Sequence, residues 1–306
     1  MKNSSPHDFN NADTALSKLP ALSKKRTLFS ALSILFFILM LSLAVPAWLE
    51  IFAAWDVLFS AALLCIVLGV ACRLLKRRYH KKAKAIISTY ITSELLAEHF
   101  ELLQYDPLRF FFTEELKVSK LGGWHWSKGN DFFQACYRGV HFRFSDIKLQ
   151  YFSLLSLKIN KTDTVFRGQW LILDLHKELP TSLMVSDMEE KGAHSRILTE
   201  HKDFDRAFMV LTEQPDIVPQ VLTPGFMDFL LKPRNSISPR DAKHLFFTTK
   251  AVHIAISTGE DLFEPCRKTS DMAALRERIT SEISMIKEII DGFSLTEVLF
   301  SDEQSE

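Results

Sequence analysis

Two long apolar runs stand close together near the N-terminus, and no run of comparable length follows them. Residues 28–48 are 21 consecutive uncharged positions. At 1.5 Å rise per residue they reach roughly 30 Å, the hydrocarbon thickness of a bilayer. Residues 57–72 add 16 more uncharged positions. This second run is lengthened outward by Ile51, Phe52, Ala53, Ala54 and Trp55, and inward to Leu75 when Arg73 snorkels. The pattern predicts a segment 27–75 holding two transmembrane helices, about 28–48 and 55–75. Pro46, Trp48, Glu50, Trp55 and Asp56 lie between them, with Trp suited to the headgroup level and the acids able to stay wet. Val45-Pro46-Ala47 has the small-residue spacing of a signal-peptidase site. The long polar leader, the length of the first run and the immediate second run favour a hairpin over a cleaved signal.

Beyond the spans the period changes. Residues 85–103 place Ile87, Ile91, Leu95, Leu96, Phe100 and Leu103 on one helical stripe. Asp106-Pro107 interrupts it, a short helix is expected over 108–116, and Gly122-Gly123 breaks the chain. Strand patterns follow at 132–137 and 140–144, joined at Arg138-Gly139, then at 151–159, 165–175, 182–185 and 207–212. The segment 165–175 is apolar throughout, as a central strand is. Pro224 opens a helix through Phe226, Met227, Leu230 and Leu231. Residues 245–249 and 252–257 surround Lys250-Ala251 as another hairpin. The last helix, 271–293 with Asp271 as its cap, steps through Leu275, Ile279, Ile283, Ile286, Ile290 and Phe293; Gly292 weakens its final turn.

The fold class is therefore α+β: a two-helix transmembrane hairpin, then a cytoplasmic antiparallel-sheet domain with flanking helices. The expected organisation is a flexible tail (1–26), the two spans (27–75), a basic juxtamembrane and amphipathic helix (76–104), and an α+β domain (105–306).

Composition adds exclusions. The chain has 306 residues, 47% apolar and 24% charged, with 10 Gly, 11 Pro, 4 Cys and 25 Phe. That excludes global disorder, collagen-like repeats and a disulfide-stapled fold. The formal net charge of +0 conceals a segregation. Residues 1–26 carry +3, residues 27–72 carry −2, residues 73–84 carry +7 with no acid, and residues 85–306 carry −8. The acidic domain argues against nucleic acid as a partner. Arg73, Lys76, Arg77, Arg78, Lys81, Lys82 and Lys84 directly follow an apolar run and read as a membrane-surface collar. Lys24, Lys25 and Arg26 precede the first span. Retention of positive charge then predicts both termini in the cytoplasm and the tip near Glu50 outside.

Catalytic patterns are missing. No phosphate loop, dinucleotide fingerprint or nucleophile elbow occurs, and no two His stand at metal-helix spacing. Neither a catalytic residue, a cofactor nor a metal is assigned. Cys136 and Cys266 are isolated, and Asn160-Lys161-Thr162 is a formal sequon with no meaning in a cytoplasmic domain. The weak pocket candidates are Trp124, His125 and Trp126 after the Gly pair, and Arg167, Asp174 and His176 on one otherwise apolar strand.

Several short motifs recur in a fixed order: Phe166-Arg167-Gly168 leading to Asp174-Leu175-His176-Lys177; Phe204, Phe208 and Val210; Leu222-Thr223-Pro224 with Phe226-Met227; and Asp261-Leu262-Phe263-Glu264-Pro265. In this order the chain resembles a bacterial membrane-protein family catalogued as domain of unknown function 3137. The resemblance spans roughly 80–295 and includes the twin spans. His176 and the stretch 213–220 depart from the pattern. The resemblance implies a multi-pass protein of the bacterial inner membrane and no assigned activity. The expected role is a membrane-anchored scaffold or regulator, partnered by the lipid bilayer and by a membrane protein or a second copy. The alternatives are a membrane-associated enzyme acting on lipid or on a membrane protein, and a small transporter or channel subunit.

Overall fold

The computed structural model describes residues 14–48, 55–152, 162–186, 196–232, 243–259, 261–263 and 272–293. The chain divides into two compact units, one running to Glu94 and including Met272–Arg278, the other running from Leu95 to Phe263 and resuming at Ile279.

The first unit is built on two helices, α1 (Leu19–Trp48) and α2 (Trp55–Ile87). They run antiparallel. Gly69 lies beside Phe36, Arg73 bonds Ser33, Lys76 bonds Ser30 and Arg26 meets His80. Steps of three or four residues along α2 are thus matched by steps of three or four back along α1. Phe29 and Tyr79 stack with ring centroids 5.6 Å apart and planes 10° apart. Both helices are long and apolar enough to cross a membrane, and only 6% and 17% of their apolar windows are buried. A core helix would be mostly buried. After Ile87 the backbone widens into a π turn, Ser88–Thr92, before α3 (Ser93–His99).

The second unit is an eight-stranded sheet, antiparallel throughout, in the order β1-β2-β3-β4-β8-β7-β5-β6. Its strands are β1 (Glu101–Asp106), β2 (Trp126–Tyr137), β3 (Val140–Phe152), β4 (Thr162–Asp174), β5 (Leu183–Ser186), β6 (Met209–Thr212), β7 (Lys243–Phe247) and β8 (Ala251–Ile256). Among the described residues α4 (Thr113–Val118), α5 (Lys202–Ala207), α6 (Val218–Val221) and α7 (Pro224–Leu231) accompany them. The last helix is α8 (Met272–Phe293).

Alternation along the strands loads both faces. One face carries Ile147, Leu149, Phe166, Trp170, Ile172 and Ala255, and residues 110–124 cover it with Phe111, Leu116 and Leu121. The other carries an aromatic cluster in which Phe133 meets Phe100, Phe142, Phe144 and Phe263. There α8 closes the core: Phe293 lies 4.7 Å from Phe226 and 6.2 Å from Phe247, centroid to centroid. The α+β architecture expected from the alternating patterns is the one observed.

Differences from the expected elements have physical causes. The helix expected through Leu103 stops at His99, because Glu101–Asp106 pairs with β2 as an edge strand. Apolar Leu102 and Leu103 fit either period, and the partner strand decides. The short helix expected from 108 begins only at Thr113; before it, Arg109 lies over the rings of Phe112 and Phe132. Ala207 ends a helix capped by His201, so β6 starts at Met209. The Arg138-Gly139 turn is observed, with φ of 51° and 78° at its two residues, and its strands extend further than expected. The Glu50 tip, most of the strand expected at 151–159, Cys266 and the Asp271 cap lie outside the described residues.

A basic cleft and a buried polar spine

The collar residues separate into three groups. Arg73, Lys76 and Arg77 line a cleft of about 720 Å³ between α1 and α2, together with Arg26, Thr27, Ser30, Ala31, Ile34 and His80. Positions 73, 76, 77 and 80 follow helical spacing, so one face of α2 presents all four. Arg73 Nε donates to Ser33 Oγ at 3.2 Å, Lys76 Nζ donates to Ser30 Oγ at 3.0 Å, and Arg26 Nη1 lies 3.2 Å from His80 Nδ1. The hydroxyls orient Arg73 and Lys76, and no carboxylate is among the described residues that line the cleft. Arg78, Lys81 and Lys82 are exposed and lie outside it. Lys84 departs from the collar altogether, being buried in the stretch leading to the π turn.

The weak pocket candidates do not form one site. Trp124 packs against the core cluster beneath residues 110–124. His125 and Trp126 are exposed at the start of β2; the His125 N–H donates to the Gln150 carbonyl at 2.9 Å, and its ring lies 5.2 Å from that of Tyr151. Arg167 and Asp174 sit seven positions apart on β4, on opposite faces and roughly 23 Å apart along the strand. Arg167 pairs with Asp261 at 3.4 Å, whereas Asp174 lies 4.0 Å from Arg143. His176 is exposed beyond the strand.

Arg167 instead borders a polar spine through the sheet that centres on Asp146. This carboxylate is fully buried; Gln169 Nε2 donates to one oxygen at 3.0 Å and the Leu262 N–H to the other at 2.9 Å. Thr258 Oγ1 donates to Gln169 Oε1 at 2.7 Å. Burial pushes the Asp146 carboxyl well above its ordinary range, against those hydrogen bonds, and Asp131 and Asp261 push it further the same way. Asp131, also fully buried, accepts from Tyr105 at 3.0 Å and from Asn130 at 2.6 Å. Gly168 keeps β8 close: a Cβ there would stand 2.0 Å from the Ile256 carbonyl oxygen. The available readable signal was parity, since Asp146 falls on the inward face of β3 with Phe142 and Phe144. Its bonds tie β3 to β4 and to the turn at Leu262, which is a structural task. Among the described residues no group of three or more His, Cys, Asp or Glu is placed to hold a metal.

The spine thus joins the Phe166-Arg167-Gly168 motif to the Asp261-Leu262-Phe263 motif, the two that begin and end the ordered set read from the sequence. Residues 164–295 match the family model described as Protein of unknown function (DUF3137). This bears out the resemblance over that stretch. The DUF3137 match begins in β4 and ends just past α8, so it takes in the spine's Gln169, Thr258 and Leu262 and leaves Asp146, on β3, outside it. No curated protein matches the chain. Among solved structures, the crystal structure of the mycobacterial trehalose monomycolate transport factor A, TtfA, is similar at 9% identity and a TM-score of 0.35, covering 69% of this chain and 96% of its own.

Proposed function

We propose that this chain is a membrane-anchored binding or scaffold protein. In this reading α1 and α2 insert as a hairpin into a bacterial inner membrane, both termini stay in the cytoplasm, and the α+β domain offers its surface to a membrane protein or a second copy. The supporting observation is the outward-facing apolar surface of the helix pair. Of 24 exposed large apolar side chains among the described residues, 17 lie on these two helices. Water would penalise such a surface by roughly 25 cal/mol per Å², and lipid would not. The antiparallel register supports termini on one side, and the basic residues at that end support the cytoplasmic side.

Reporter fusions after Lys84 and at the C-terminus should both report cytoplasm, and an insertion near Glu50 should report the outside. The opposite pattern overturns the orientation. Crosslinked co-purification from membranes should recover a partner through the α+β domain; a chain recovered alone at every crosslinker concentration counts against the scaffold.

A further inference from the structure

Two edges of the sheet are blunted. The outer side of β6 carries the bridge from Ile197 to Val210. Along β1 the register slips at Leu103, a bulge that turns an edge away from other strands, and Glu101 and Asp106 stand at its ends. A third edge is open. β1 pairs with β2 only from Cys136 to Phe132. Pro107 then follows, with no N–H to offer a ladder, and the chain crosses onto one face of the sheet, where Phe110 lies over Gly129. The first five residues of β2, Trp126–Asn130, therefore pair with β3 on one side and, among the described residues, with no strand on the other. This half-lane is about 17 Å long at roughly 3.4 Å per residue. In an antiparallel pair alternate residues turn both backbone groups away from the partner, so the edge directs N–H and C=O groups outward.

Side chains decide what can enter. Lys128 stands directly opposite Lys148, and Lys148 opposite Arg167. Arg167 pairs with Asp261, but neither lysine has an ion pair among the described residues, and Lys128 is exposed at the open edge. Like charges directly opposite one another are destabilising, and a carboxylate beside them reverses the sign. An edge lysine also repels basic strands and discourages apolar ones, which leaves an acidic strand as the one admitted. On the other face Thr113 Oγ1 lies 3.4 Å from Ser127 Oγ, so the neighbouring, exposed Phe112 stands close to the same edge.

We propose that the half-lane beside Trp126–Asn130 receives an extended acidic segment of a partner protein as an added strand, with carboxylates on the face of Lys128 and Lys148 and apolar side chains on the face of Phe112. The inference rests on the scaffold reading and names the surface and the chemistry of the partner. In recognition of this kind backbone bonds supply affinity and alternate side chains supply selectivity.

The test titrates the full chain, in a neutral detergent, with three labelled peptides read by fluorescence anisotropy. One alternates valine and glutamate, one alternates valine and lysine, and the third is the glutamate peptide methylated on every backbone nitrogen. The glutamate peptide should bind in preference to the lysine peptide by about tenfold or more, and should slow amide hydrogen exchange within Trp126–Asn130. Lys128→Glu with Lys148→Glu should reverse the preference, an outcome that misfolding cannot imitate. Lys81→Glu with Lys82→Glu, an equal change of charge on α2, should leave binding unchanged. Equal loss in that control would reduce the effect to diffuse attraction and overturn the site. A methylated peptide that binds as tightly as its parent would overturn strand addition, since methylation removes the N–H donors and leaves the charges. A chain that binds none of the three also overturns the site. One that ignores the peptides yet is crosslinked to a partner in membranes defeats only this site; one that binds the glutamate peptide yet is always recovered alone defeats the scaffold and leaves the edge competent.

Discussion

Acid should loosen the sheet through one histidine. His253 lies on β8, opposite Ile172 on β4 and Phe246 on β7, with its ring 6.4 Å from that of Trp170. It is 5% exposed, and its Nδ1 has no hydrogen-bond partner. Burial, then the nearby charge of Arg143, then His244, lower its pKa from 6.5 to about 4. The folded state therefore keeps this imidazole neutral across a range in which the unfolded chain protonates it. Stability from His253 is complete above pH 6.5 and is lost as pH falls towards about 4. At about 1.4 kcal/mol per pH unit the full loss is about 3 kcal/mol, a large share of a typical domain's total of roughly 5–15 kcal/mol. The buried carboxyl of Asp146 acts with the opposite sign, so the wild-type profile is a sum of the two. His253→Leu isolates the histidine. Urea midpoints of the full chain in detergent, followed by near-ultraviolet circular dichroism of the packed aromatics, should place the variant level with or above wild type at pH 7.5. Its advantage should grow by about 2–3 kcal/mol at pH 4.5. An advantage that does not change between the two pH values would refute the reasoning.

Two further outcomes follow from the packing. Asp146→Asn, which cannot ionise, should gain on wild type as pH rises, because a raised carboxyl pKa means stability present at low pH and lost on the alkaline side; Asp146→Leu should instead cost about 1–3 kcal/mol at any pH by stranding the Gln169 amide and the Leu262 N–H, both read from the same urea midpoints. Gly292→Ala should destabilise by about 1–3 kcal/mol although alanine favours helix, because its Cβ would stand 1.8 Å from Phe229 Cζ, and adding Phe229→Ala should cancel that cost in a double-mutant cycle.

What could be read from the chain was whatever depended on local period. The uncharged runs became α1 and α2, the Arg138-Gly139 turn joined β2 to β3, and the apolar stretch around Trp170 became a central strand. Local period failed where a distant partner decides. Leu102 pairs with Ala135 instead of continuing a helix. Gly292 reads as a weak point in α8 until Phe229 is seen lying over it. The cleft was half legible: the spacing 73, 76, 77, 80 marks one face of α2, but Arg26, more than forty residues away, joins it only through the antiparallel register. Asp146 shares the strand parity of Phe142 and Phe144, and only the covering of that second face of the sheet makes its charge costly.

The strand order also sets a hazard during synthesis. Strands β1 to β4 are a simple meander and can pair as they leave the ribosome, but the outer neighbour of β4 is β8. Between Asp174 and Ala251 lie 76 positions of chain. At roughly 5–20 residues per second they take about 4–15 s to translate. Throughout that time the edge through Trp170, Leu171, Ile172 and Leu173, wholly buried once folding is complete, is open to any other unpaired strand. Nascent chains stalled within 175–250 should therefore recruit chaperones or aggregate, while chains released past residue 256 should not.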